Sequence, residues 1–181
     1  MGKVLLLFAS REGQTEKVAT RLARHLEKSG LAVHLVNAAD EAAVSSIDLN
    51  AYDLLVFGAS LHVGALEREL AQYVNDNAHV IEKQARSFFL VSLSAATRDS
   101  AQRAASLIDA RQKLNGQITV AFDDTEMIAG ALRYSKYPLP LKWLMRRIAA
   151  KAGEQTETFR DYEYTDWDQV KRYAARLETL L

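Results

Sequence analysis

Lys3-Val4-Leu5-Leu6-Leu7-Phe8-Ala9, running straight into Ser10-Arg11-Glu12-Gly13-Gln14-Thr15, is the stretch on which the fold turns. After Lys3 the run is apolar without polar alternation, which predicts a central parallel strand covered on both faces. The six residues that follow are polar, contain one glycine and open into a segment where Val18, Leu22 and Leu26 recur every four positions beside Ala19 and Ala23. That spacing predicts a helix, closed near Gly30, where a helix C-terminal glycine belongs. A buried strand passing through a tight loop into an amphipathic helix is one unit of an α/β sheet.

Outward from this unit the pattern repeats. Leu31 to Val36 reads as a second strand and Glu41 to Leu49 as a short helix, and Tyr52-Asp53-Leu54-Leu55-Val56-Phe57-Gly58 is another buried strand. Leu66, Leu70, Tyr73 and Val74 put one apolar stripe on the next helix. Ser87 to Leu93 supplies a fourth strand, Asp99 to Leu114 a helix, and Ile118 to Phe122 the start of a fifth strand. Strand and helix alternate throughout, the signature of a parallel sheet with helices on both faces. Thr165-Asp166-Trp167-Asp168 reads as a capping box ahead of a terminal amphipathic helix carrying Val170, Tyr173, Ala174, Leu177 and Leu180. Residues 1–181 are expected to form a single domain, with no internal repeat.

The charge is balanced, 23 Lys and Arg against 23 Asp and Glu, yet it is unevenly placed. Between Met127 and Gly153 stand Arg133, Lys136, Lys142, Arg146, Arg147 and Lys151 with no Asp or Glu among them, so the remainder of the chain is net acidic by the same six. Both prolines and Trp143 lie in that window. We read residues 131–160 as a basic insertion within the domain, after or within strand five. Drawn as a helix, Leu141, Leu144, Met145 and Ile148 share one face, flanked by the cations. Such a stretch suits an anionic membrane surface or an acidic partner, and a helix simply packed on the domain is the competing reading. The chain has no cysteine, which excludes disulfides, thiolate nucleophiles and Cys-held metal. Its four histidines show no metal-ligand spacing, so no metal is expected. Without a membrane-spanning run or a cleavable signal pattern, a soluble intracellular protein is expected, with no nucleic-acid partner.

In an open parallel sheet the ligand lies beyond the carboxyl ends of the strands, where strand order reverses. Three loops matter there. Ser10 to Thr15 opens into a helix whose free amides, with about half a unit of positive dipole charge, would meet an anion. It has no Gly-Lys-Ser/Thr for a triphosphate, and no further glycines for a dinucleotide pyrophosphate. A monophosphate held by Ser10, Arg11, Glu12, Gly13, Gln14 and Thr15, mainly through neutral hydrogen bonds, is what remains, set against a plain glycine turn with capping hydroxyls. The Glu12 carboxylate is expected to turn to solvent. The second loop follows strand three, Ala59, Ser60, Leu61, His62, Val63 and Gly64, bracketed by Gly58. The third follows strand four, with Ser92, Leu93, Ser94 and Ala95. Neither contains Trp, Tyr or Phe. His62 is the one ionisable side chain in these two loops, and it reads as a loop-packing residue ahead of an acid or base.

Ser-x-x-Gly-x-Thr after a first strand resembles the flavodoxin phosphate loop, which holds the phosphate of FMN. Ala129-Gly130-Ala131-Leu132-Arg133-Tyr134, Gly153-Glu154 and Tyr164-Thr165-Asp166-Trp167 narrow the resemblance to the bacterial flavodoxin-like protoporphyrinogen IX dehydrogenases that use menaquinone. The likeness covers nearly the whole chain, including the insertion that ordinary flavodoxins lack. It implies a doubly wound five-stranded parallel sheet of order 2-1-3-4-5 with FMN flanked by the second and third loops. It further implies oxidation of protoporphyrinogen IX to protoporphyrin IX, a late step of haem biosynthesis, with electrons passed to a quinone, menaquinone or ubiquinone. The substrate's propionates or an anionic membrane would meet Arg133, Tyr134, Lys136, Lys142, Trp143, Arg146 and Arg147, placing the protein peripherally on the inner face of the cell membrane. The alternatives are an FMN-dependent NAD(P)H quinone reductase and a flavodoxin-type electron carrier. A carrier presents a strongly acidic face, against which the basic island speaks.

Overall fold

The computed structural model describes residues 1–62, 64–96, 100–132 and 161–181, the side chain of Ser94 excepted. The chain runs β1 (Lys3–Phe8), α1 (Gln14–Lys28), β2 (Ala32–Asn37), α2 (Glu41–Ser45), β3 (Leu54–Ser60), α3 (Arg68–Asp76), α4 (Ala78–Ile81), β4 (Ala85–Ser92), α5 (Ser100–Asn115) and β5 (Asp124–Ala129). Two short strands, β6 (Ala131–Leu132) and β7 (Tyr162–Glu163), then precede the last helix, α6 (Trp167–Glu178). The main sheet is parallel, in the order β2-β1-β3-β4-β5. The expected doubly wound flavodoxin-like architecture is borne out.

The period of two explains why β1 is apolar throughout. Val4, Leu6 and Phe8 point to one face and pack with Val18, Leu22 and Leu26 of α1 and Val170, Tyr173 and Leu177 of α6. Leu5, Leu7 and Ala9 point to the other, with Leu70 and Val74 of α3 and Ala110 and Leu114 of α5. A strand that must feed two cores has no place for a polar residue.

Three sequence expectations are corrected. The fifth strand lies at Asp124–Ala129, not Ile118–Phe122. Ile118 and Val120 are buried, which explains the apolar signal, but the Thr119 amide is taken by the Asn75 side chain instead of a ladder partner. Pairing with β4 begins only at Asp124. The insertion accordingly follows strand five. Next, strand three does not end at Gly58 but continues through Ala59 to Ser60, so Gly58 does not bracket the second loop. A Cβ there would lie 1.9 Å from Phe89 Cζ, so glycine serves ring packing. Finally, α6 is capped by Asp166, whose Oδ1 accepts from the amides of Asp168 and Gln169, while Thr165 turns inward.

Candidate functional site

β1 pairs with β2 on one side and β3 on the other, so strand order reverses between the loops after β1 and β3, where a crevice opens in folds of this kind. In the first loop the Ser10 hydroxyl accepts from the Gly13 amide at 3.0 Å and holds the turn closed. Gly13 has φ 91°, a left-handed value that costs residues with a Cβ about 1–2 kcal/mol. No side chain caps α1, leaving its first-turn amides without an intrahelical acceptor. Thr15 is buried in that turn, and Arg11 is exposed. A helix start served only by backbone amides and hydroxyls is a donor set that fits a monophosphate.

The second loop is short and tied down. His62 and Ala65 exchange backbone hydrogen bonds at 2.8 and 2.9 Å around Gly64, whose φ is 85°. Gln117, just after α5, donates to the Gly64 carbonyl and accepts from the Leu66 amide. Ala59 lies within β3 with its side chain in the apolar core, while Ser60 stands at the strand's end. The third loop starts from Ser92, whose carbonyl accepts from the Gly130 amide, and turns through Leu93 and the buried Ala95. Val63, the Ser94 side chain and Arg133, Tyr134, Lys136, Lys142, Trp143, Arg146 and Arg147 lie outside the described residues, as does the helix drawn over Leu141 to Ile148.

Between the first two loops four side chains meet. Ser60 donates its hydroxyl to Glu67 Oε1 at 2.5 Å and its amide to Glu67 Oε2 at 3.1 Å. Its Oγ also lies 2.9 Å from His62 Nε2. A hydroxyl has one hydrogen, and here it goes to the carboxylate, so His62 Nε2–H donates to Ser60 Oγ and Nδ1 of the neutral ring keeps the lone pair. Nδ1 faces Glu12 Oε1 at 3.8 Å across the crevice. Glu12 therefore does not turn to solvent as expected but lies largely buried beside the imidazole. Burial holds the His62 imidazole below its ordinary value, with the Arg11 charge adding to the effect. Burial also lifts the Glu67 carboxyl above its ordinary range, against the lowering pull of the Ser60 hydrogen bonds.

Sequence reasoning missed Glu67 beside the crevice and the inward contact of Thr165, whose hydroxyl accepts from Gln14 Nε2 at 2.8 Å. Glu67 precedes α3 as an ordinary polar residue, but its carboxylate leaves the helix end uncapped and turns back to Ser60. Thr165 stood in plain view inside the Tyr164 to Trp167 motif, read as a cap. Among the described residues no helix is long and apolar enough to cross a membrane, and no group of His, Asp and Glu could hold a metal.

Sheet order and the crevice at its reversal point together define an α/β protein of the doubly wound class. The flavodoxin domain family matches residues 5–159, and the chain belongs to it. The protoporphyrinogen IX dehydrogenase [quinone] of Escherichia coli K12 is 28% identical over 178 residues, covering 98% of this chain and 96% of that protein. The Leishmania major protein of the same name is 27% identical over 98% of this chain and 75% of its own. The resemblance read from the insertion motifs is thereby borne out, and with it the reading of the chain as an oxidoreductase. Among solved structures, oxidised flavodoxin 1 from Bacillus cereus superposes with a TM-score of 0.55 at 16% identity over 99% of both chains, a likeness of fold.

Proposed function

We propose that the protein oxidises protoporphyrinogen IX to protoporphyrin IX and passes the electrons to a quinone of the menaquinone type, in a late step of haem biosynthesis. What carries the reading is the end-to-end match to relatives of that name, which spans 98% of the chain and so takes in the insertion as well as the flavodoxin core. FMN would be held at its phosphate by Ser10, Gly13, Gln14 and Thr15, and at its ring by the loops from Ser60 to Gly64 and Ser92 to Ala95. When bound, it supplies the redox chemistry that side chains lack.

The chain's own share is to bind, orient and manage protons. Dehydrogenation of the macrocycle also releases protons, and His62 Nδ1 would take one, with Glu12 Oε1, 3.8 Å away, to steady the resulting imidazolium. Ser60 and Glu67 fix the ring so that Nδ1, not Nε2, stays available. From the sequence, the cations of residues 131–160 provide carboxylate-binding groups for the propionates and a docking surface for the anionic membrane in which quinone resides.

Anaerobic mixing of FMN-loaded protein with protoporphyrinogen tests this directly. Fluorescent protoporphyrin should accumulate when a quinone is supplied and, when it is withheld, stop at no more than about one third of the bound FMN, because each porphyrin formed gives up six electrons and each flavin accepts two. A protein that reduces quinone only with a nicotinamide donor, or that leaves porphyrinogen unchanged, overturns the reading.

A further inference from the structure

Gln14 is the first residue of α1 and its side chain is buried, although it borders the phosphate loop. Its Nε2 donates at 2.8 Å to the Thr165 hydroxyl, which in turn donates at 2.6 Å to the carbonyl of Ala129, the last residue of β5. A polar chain thus runs through the interior from the end of an edge strand to the helix start that meets the phosphate, between residues 151 apart in sequence.

The neighbours of Thr165 follow the same course. Glu163 pairs with Lys17 at 2.9 Å and accepts from Trp167 Nε1 at 3.0 Å, and Trp167 lies under the Arg21 guanidinium at 5.3 Å. Gln14, Lys17 and Arg21 occupy positions i, i+3 and i+7 of α1, a single stripe, so the segment from Glu163 to Trp167 lies along one side of the helix beginning at its first residue. The outer contacts are exposed and contribute little to stability. The inner one is different in kind. An apolar pair of the same shape would hold helix and strand together as well, whereas a buried amide and hydroxyl must meet in one geometry or remain unsatisfied. Such a link sets the rotation of the first turn of α1, and with it the direction in which the amides of that turn point.

We propose that Thr165 is a positioning residue for the cofactor phosphate: through Gln14 it locks the first turn of α1 in the orientation that receives the anion. The proposal rests on the FMN reading of that loop. It gives the Tyr164 to Trp167 motif a role that capping does not, since Asp166 supplies the cap.

The test is FMN titration of the deflavinated full-length protein, followed by flavin fluorescence and by the visible circular dichroism of the bound ring. Thr165→Val, which loses the hydroxyl at constant shape, should bind FMN roughly tenfold or more weakly, and Thr165→Ser, which keeps it, should stay within about twofold of wild type. Leu177→Ala, which destabilises the neighbouring helix without touching the polar chain, should lower the denaturation midpoint and leave FMN affinity unchanged. If Thr165→Val fails to fold, Gln14→Leu, which leaves the Thr165–Ala129 bond in place, should show the same loss. Wild-type affinity in the folded valine or leucine variant overturns the proposal, as does a serine variant no better than valine or an equal loss in Leu177→Ala. A wild-type protein that takes up no FMN overturns the cofactor reading itself, an outcome separate from any difference among variants.

Discussion

Phe89 stands opposite Gly58 across the β3–β4 ladder, and its ring occupies the space a side chain at Gly58 would need. The ring is fully buried, with Tyr173 on its far side at 6.4 Å between centroids, so it has nowhere to retreat. Gly58→Ala should cost on the order of 1–3 kcal/mol or more, read as a lowered urea midpoint, and adding Phe89→Leu should return part of it. An unaffected midpoint in the single variant would contradict the packing described. Glu67 makes a second residue-scale case. Because burial raises its folded value above the ordinary 4.5, the folded chain holds the proton more tightly than the unfolded one. Its contribution is therefore whole below about 4.5 and is lost as pH rises through the raised folded value. Glu67→Gln cannot ionise, so denaturation measured from pH 4.5 upward should show a flatter decline than wild type, with the gap widening as pH rises. Parallel curves would mean that the carboxyl ionises there at no cost.

At the scale of elements, legibility followed from whether a residue's partner was near in sequence or imposed by a regular period. Val18, Leu22 and Leu26 announce the inner face of α1, and Val170, Tyr173, Ala174 and Leu177 that of α6, because a helix repeats its buried side on its own. β5 was displaced because Asp124, Thr125 and Glu126 look like loop. Yet Glu126 and Asp124 are answered by Arg176 of α6, an acceptance the sequence leaves unstated. The same distance effect separates the site's parts. Ser10, Gly13 and Thr15 were readable within six residues, whereas Ser60–Glu67 and Gln14–Thr165 depend on turns and crossovers that only the folded chain closes. α6 itself is tied to the sheet by a polar contact as well as apolar ones: the Tyr173 hydroxyl lies 2.6 Å from Ser87 Oγ, which donates to the Asp124 carbonyl. Removing both partners should cost less than the sum of removing each. A double-mutant cycle of Tyr173→Phe and Ser87→Ala should give a coupling of about 0.5–1.5 kcal/mol, and additive losses would show that the two hydroxyls do not depend on each other.

Over the whole molecule the outstanding feature is a charge division that a net charge of zero conceals. Six cations fall between Met127 and Gly153 with no acid among them, and the rest of the chain is acidic by the same amount. A flavin protein that shuttles between soluble partners gains nothing from such a division, whereas one that must reach a membrane-resident quinone gains attraction where it docks and repulsion where it does not. Each cation near an anionic bilayer is worth on the order of 1 kcal/mol and is screened within a Debye length of about 10 Å at 0.1 M salt. Reversing Arg146 and Arg147 to Glu should therefore release the protein from vesicles containing anionic lipid, and raising the salt should have the same effect on wild type. FMN content should stay constant, since the phosphate loop belongs to another part of the chain. With a water-soluble quinone in place of the membrane-bound one, turnover by the reversed variant then separates the two roles proposed for the island. Retained turnover assigns these cations to the bilayer, lost turnover with retained vesicle binding assigns them to the propionates, and loss of both means that a single surface serves substrate and membrane. A variant unchanged in vesicle binding and turnover alike would remove Arg146 and Arg147 from the functional surface.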